Sequence, residues 1–228
     1  MYRANTFETG IAPGTLITQA NSDDGAAGDG FAGGVGQGAG GSSVAFDNAQ
    51  AAHGTLSGKF VQAASPATIF VAWSHASLTD VYGRFYYYAT AHPANEFNVL
   101  QYWSAAISGT INVRTDSVLA VQDSTFTNRL VATNLGALTL NAWNRVEFLF
   151  HAHPSTGFIT LKQFLGDSTV GTGTGTDTSS NGNFGSDITT PVFGMNAVAA
   201  SHQFWLDDLQ VNDSNFPGPV SGVAWLKA

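Results

Sequence analysis

Gln203-Phe-Trp-Leu-Asp-Asp-Leu-Gln-Val211 decides how this chain is read, because an apolar, β-type run carries two adjacent carboxylates at its centre. Side chains alternate across a strand. Strict alternation sets Trp205, Asp207, Leu209 and Val211 on one face and Phe204, Leu206, Asp208 and Gln210 on the other. One aspartate then points inward. A buried carboxylate needs hydrogen bonds, a cation or a metal, so the pattern predicts a partner for Asp207 elsewhere in the chain and leaves Asp208 in solvent. The same alternation rules the two acids out as a catalytic pair in one cleft.

Working outward, the segments 44–46, 59–62, 68–73, 83–89, 98–103, 111–114, 119–121 and 129–133 are each apolar or alternating and bounded by Gly, Pro, Asn, Asp or Ser. Short strands lie near 5–10 and 15–18, and 190–197 is the strand before the opening one. Residues 138–165 read as a hairpin. Val146, Phe148 and Phe150 face one way and Arg145, Glu147, Leu149 and His151 the other, and on the returning strand Ile159 and Leu161 are opposed to Phe158, Thr160 and Lys162. Strands at this spacing, with no helical period between them, predict an all-β sandwich rather than a βαβ fold. Only 48–53 looks briefly helical. The glycine-rich stretches 21–43 and 169–184 read as loops, and the wider 167–187 is expected to face outward with the first. One domain, 1–212, is followed by an extended tail, 213–228, in which Pro217 and Pro219 exclude a central strand. Because the tail contains Trp225 and Leu226, it is expected to pack on another subunit.

Composition narrows the functions. The chain has 228 residues, a net charge of -8, eight Lys and Arg in all, and no cysteine. Scattered basic residues exclude nucleic-acid binding by phosphate neutralisation, and the absence of cysteine excludes disulfides and thiolate chemistry. An acidic chain is compatible with divalent cations. The start lacks an apolar leader and no apolar run is long enough to span a bilayer, so a cytosolic origin without membrane insertion is expected.

Leu140-Asn-Ala-Trp-Asn-Arg-Val-Glu-Phe148, with Thr156-Gly-Phe-Ile-Thr-Leu-Lys162 and Gly166, resembles the central hairpin of laminin-G-like and concanavalin A-like jelly rolls. Asn5-Thr-Phe-Glu-Thr-Gly10, Phe46, Ala52-His53-Gly54, Trp205 to Val211 and Phe216-Pro-Gly-Pro219 are similar to the concanavalin A-like domains of actinobacterial phage virion proteins. That resemblance spans residues 4–219 and implies an all-β jelly-roll sandwich of two antiparallel sheets whose N- and C-terminal strands are adjacent. It implies a non-enzymatic structural or adhesive role as a minor tail or capsid-decoration protein, assembled in the host cytoplasm into the virion. Other virion subunits and further copies of the chain would be its partners. Related carbohydrate-binding modules hold a structural calcium where the first and last strands meet. The resemblance thus implies Glu8 and Asp207 as ligands, with Asp29 as a further oxygen donor; hydrogen bonds from Thr6, Thr9 or backbone could satisfy Asp207 instead.

Other chemistry is weakly encoded. Glycosidases need two carboxylates about 5 to 9 Å apart, and the three glutamates, Glu8, Glu96 and Glu147, form no such motif; Glu96 with Asp80 is the remaining pair, and Glu147 is expected in solvent. His151-Ala-His153 offers half a zinc site with no third ligand at a convincing spacing. His75, His92 and His202 are isolated. The glycines of 33–41 lack the helix and Lys of a phosphate-binding loop. Aromatic residues are more telling. Both faces of 84–88 carry rings, so Tyr86 and Tyr88, with Tyr102 and Trp103, are expected at a subunit interface or, as the alternative, on a cell-surface glycan.

Overall fold

The computed structural model describes residues 1–23, 28–63, 68–195 and 201–220. Fifteen strands follow in order: β1 (Tyr2–Asn5), β2 (Gly34–Gln37), β3 (Ser43–Asp47), β4 (Ser57–Gln62), β5 (Ile69–Ala72), β6 (Asp80–Ala89), β7 (Phe97–Trp103) and β8 (Ile107–Val113). After them come β9 (Leu119–Asp123), β10 (Asn128–Val131), β11 (Asn144–His151), β12 (Phe158–Leu165), β13 (Gly171–Thr178), β14 (Thr190–Met195) and β15 (His202–Asn212). They form two antiparallel sheets. The larger runs β13-β12-β11-β6-β15-β4-β3 with β1 added beside β15, and the smaller runs β10-β9-β8-β7-β14-β5-β2.

The sheets pack face to face through the rings that alternation aims inward. Phe85 meets Phe193 with ring centroids 6.2 Å apart, Tyr102 meets Phe150 at 4.6 Å, and Phe97 meets Phe204 at 5.2 Å. Each of these side chains is fully buried, which stabilises the fold by about 1.5 to 3 kcal/mol per ring. Gly83 leaves room for this layer, since a Cβ there would lie 2.2 Å from the Phe148 ring.

Three expectations from the sequence need correction here. Residues 48–53 are bends rather than helix. Neither glycine-rich stretch is merely a loop: the first contributes β2 and buries Phe31 against Trp73, and the second contributes β13 and buries Phe184 against Phe150. Glycine and threonine can extend a sheet edge without supplying the apolar alternation by which strands are recognised. The first strand is Tyr2–Asn5, so Glu8 lies beyond it.

The most consequential departure is within β15. Opposite β6, the register passes from Asp207↔Tyr86 to Gln210↔Arg84, so two residues face one. This is a β-bulge. Asp208 takes φ +46°, and on the strand's other edge the neighbour changes from β4 to β1 at the same place. The extra residue shifts the phase of the strand. Phe204 and Leu206 enter the core before the bulge, Leu209 and Val211 after it.

Candidate functional site: the strapped outer face

Away from the core, the larger sheet presents ordered rows of side chains. Pairing aligns Lys59, Trp205 and Tyr88 in one row, Asp207, Tyr86, Arg145 and Phe164 in the next, Gln210, Arg84, Glu147 and Lys162 in a third, and Asn212, Tyr82, Leu149 and Thr160 in a fourth. Four of the chain's eight basic residues therefore share one face of one sheet. Trp143, just before β11, extends the first row with its ring 5.4 Å from Tyr88. Trp205 donates its indole N–H to Asp47 at 3.1 Å and lies under the Lys59 ammonium.

The bulge turns both carboxylates of β15 toward this side. Asp207, 0 % exposed, accepts the backbone N–H groups of Ala52 and His53 at 2.8 and 3.4 Å, and its other oxygen accepts the N–H of Asp208. Asp208, 1 % exposed, lies 2.5 Å from His53 Nδ1. On the other side of the ring, Nε2 reaches Asp167 at 2.8 Å, and Asp167 also accepts the Tyr86 hydroxyl. The imidazole is clamped between two acids. The hydrogen bond to Asp208, aided by that to Asp167, outweighs burial and raises the His53 pKa from 6.5 to about 9, so the ring is a cation near neutrality. Burial pushes the Asp207 carboxyl well above the usual range, with the Asp208 charge adding to the effect and three backbone N–H groups opposing it. Asp167 feels burial upward, but hydrogen bonds from Tyr86 and His53 hold it below its ordinary value.

Next to this node, Arg145 is buried against Glu147 at 2.9 Å and also donates to the carbonyls of Gly166 and Ser168. Glu147 is thus an internal counter-ion; its place in the face's third row, beside Arg84 and Lys162, is why it is not the solvated acid that the sequence predicts.

A strap closes the face. After β15 the chain turns and runs back over the sheet as Phe216-Pro-Gly-Pro-Val220. The Phe216 ring meets Tyr82 edge-on at 5.2 Å with the Lys162 ammonium 3.8 Å from its centroid. Arg84 Nη1 donates to the Gly218 carbonyl at 2.7 Å, and the Val220 N–H donates to the Tyr86 hydroxyl at 3.2 Å. Gly218 adopts φ +72°, a conformation that favours glycine.

The residues singled out from sequence are distributed unequally over this picture. Tyr86 and Tyr88 are on the outer face, Tyr86 being sealed beneath the strap and Tyr88 half-buried. Tyr102 belongs to the core between Phe148 and Phe150, and only Trp103, 37 % exposed, is open. Trp225 and Leu226 lie outside the described residues. The tail's described part packs on its own sheet.

The three expected calcium ligands have separate partners. Glu8 accepts the N–H groups of Thr55 and Leu56, both at 2.6 Å, Asp207 accepts those of Ala52 and His53, and Asp29 accepts Arg3 and the Ala4 N–H. Glu8 and Asp207 do work together, but by gripping the loop 52–56 from two ends of the chain. Among the described residues no group of three His, Asp or Glu side chains is placed to hold a metal ion. Asp80 pairs with His151 at one sheet while Glu96 bonds Asn112 at the other, so they form no catalytic pair. His53 was overlooked as a functional residue; its position between Ala52 and Gly54, in a stretch already matched by resemblance, was the available signal.

No family model matches the chain, and no curated protein matches it by sequence. Solved structures do. A protein described as cellulose induced protein, Cip1, superposes with a TM-score of 0.61 over 92 % of this chain and 97 % of its own, at 17 % identity. The chain folds as a concanavalin A-like jelly roll. The catalytic domain of a glycoside hydrolase family 131 protein from Coprinopsis cinerea is a more distant likeness of this jelly roll, with a TM-score of 0.48 over 75 % of each chain at 10 % identity. At these identities the likeness is one of fold.

Proposed function

We propose that the chain is a non-enzymatic structural and adhesive phage virion protein, a minor tail or capsid-decoration subunit that uses a lectin-like jelly roll as a rigid building block. The observation that carries this reading is the strap. Glycoside cleavage needs an open cleft with two available carboxylates, whereas here Asp207, Asp208, Asp167 and Glu147 are each bound to internal donors and residues 216–220 lie across the face. A face spent on self-packing suits a subunit whose contacts are made by its rims. Tyr2, Leu16, Trp103, Phe126, Leu165 and Val170 are the large apolar side chains exposed among the described residues, and they are the contacts such a subunit would offer. The virion setting is supported by the likeness of both ends of the chain to actinobacterial phage virion domains. The subunit would be made in the host cytoplasm, associate with other virion proteins and with copies of itself, and need neither nucleic acid nor a membrane. Gradient-purified phage particles from the producing host are expected to contain the chain by mass spectrometry and labelled-antibody microscopy; particles without it would end the reading.

A second reading, recognition of a cell-surface glycan, is favoured by the half-buried rings of Tyr88 and Trp143, 5.4 Å apart on the outer face. Partly open aromatic rings are suited to stacking on sugars. A glycan array that is blank for the intact chain, or binding that survives both Tyr88→Ala and Trp143→Ala, would remove it.

A further inference from the structure

The strap is already a bound peptide. We propose that its seat on the outer face also accepts the strap of a second copy, so that neighbouring copies exchange residues 216–220; this inference rests on the assembly reading above. The strap is held by one ring, one carbonyl and one N–H, with no strand ladder, and all five of its residues are only half-buried. The attachment is that of a peptide ligand rather than of a core element.

Directly before it, the chain makes a compact hinge. Asn212 Oδ1 accepts the N–H groups of Ser214 and Asn215 at 2.9 and 3.0 Å, and residues 213–215 are exposed. The hinge makes its own hydrogen bonds, independent of the seat. Pro217 and Pro219 restrict the free strap toward extended conformations and remove two N–H groups, so little order is lost on seating and pairing as a β-strand is disfavoured. Exchange between copies remakes every seat contact. The closed and exchanged forms therefore differ mainly in hinge geometry and in the local concentration of copies, which an assembly raises.

The chemistry of the occupant follows from the seat. It requires an aromatic ring for the gap between Tyr82 and Lys162, then a glycine at positive φ that turns its carbonyl to Arg84, then an N–H for Tyr86. A second copy's tail supplies all three in the right order.

The test uses the full chain with Phe216 replaced by the photoreactive p-benzoylphenylalanine, which keeps an aromatic ring in the seat. Unlabelled and ¹⁵N-labelled copies are mixed, irradiated over a range of concentrations and digested for mass spectrometry. Mixed-isotope cross-links to the β6 or β12 peptides carrying Tyr82 and Lys162 are expected, rising with concentration. Cross-links confined to one isotope at every concentration would overturn exchange, and cross-links to other peptides would overturn the seat. A second variant, the full chain lacking Ser214 and Asn215, cannot fold its strap back; its mass by light scattering is expected to double, and a monomer would refute the proposal. Phage particles free of the chain would remove the virion reading and leave both readouts intact, so the two failures are distinguishable.

Discussion

Replacing His53 with Gln should remove most of the alkaline sensitivity of the fold. The ring lies between Asp208 and Asp167, with Asp207 bonded to its own backbone N–H and Tyr86 edge-on at 5.2 Å. Its pKa is raised, so the unfolded chain gives up the proton first. The contribution is complete below the unfolded value of 6.5 and is lost as pH rises through about 9. A rise from 6.5 to about 9 sets a ceiling of ~3 kcal/mol at 1.36 kcal/mol per pKa unit. The ring is 30 % exposed, and solvent screening reduces this to roughly 1 to 2 kcal/mol. For a chain of this length that is a fall in Tm of roughly 3 to 6 °C between about pH 6 and pH 10. Thermal unfolding followed by circular dichroism, wild type against His53→Gln at each pH, isolates the effect, because all other alkaline titrations are shared. Equal slopes in the two proteins would refute the clamp. So would a variant that is more pH-sensitive than the wild type.

Other consequences can be checked with the same assay. Arg145→Met should cost about 3 to 5 kcal/mol because it strands Glu147 without its cation, and adding Glu147→Leu should recover most of that loss. Gly83→Ala should destabilise by about 1 to 3 kcal/mol, since the new methyl would sit 2.2 Å from the Phe148 ring and 2.7 Å from the Gln210 carbonyl. Chelation with EDTA should leave Tm unchanged, because Glu8, Asp207 and Asp29 are each satisfied by N–H donors; a fall restored by calcium would contradict this. Burial lowers the His202 pKa to about 4, so stability should decline as pH falls from 6.5 toward that value, and His202→Asn should flatten the decline.

The all-β sandwich was readable because rings and β-branched residues alternate where a strand is buried on one side, whereas the pairing of the end strands followed from the resemblance. The faces of β11 and β12 were assigned correctly for that reason. Alternation failed at β15, although the sequence carried the warning. Leu206 and Leu209 are three apart, a spacing that a regular strand cannot bury on one face and a bulge can. Reading that interval would have put Asp207 and Asp208 on the same side. The edge strands β2 and β13 escaped notice because glycine and threonine leave no periodic signal. The candidate site was less legible: Tyr86 and Tyr88 lie on the outer face, but Tyr86 is fully buried there, and the clamp on His53 depends on contacts across 114 and 155 residues of chain, which no local pattern encodes. Tyr102 was misplaced for a simpler reason. A tyrosine looks polar in sequence, yet the Tyr102 ring fills the space between two phenylalanines even though its buried hydroxyl finds no hydrogen-bond partner among the described residues.

The position of β15 also sets an order of events during synthesis. This strand, the last of those described to leave the ribosome, lies between β6 and β4 in the interior of the larger sheet. Until it arrives, β6 and β4 each present an open edge, and the apolar residues meant to pack beside it are uncovered. Such non-local closure is slow, and nascent or truncated chains ending before Gln203 are the species in which intermolecular strand pairing competes with folding. Of these two edges the one at β4 waits longer, because β4 precedes β6 in the chain.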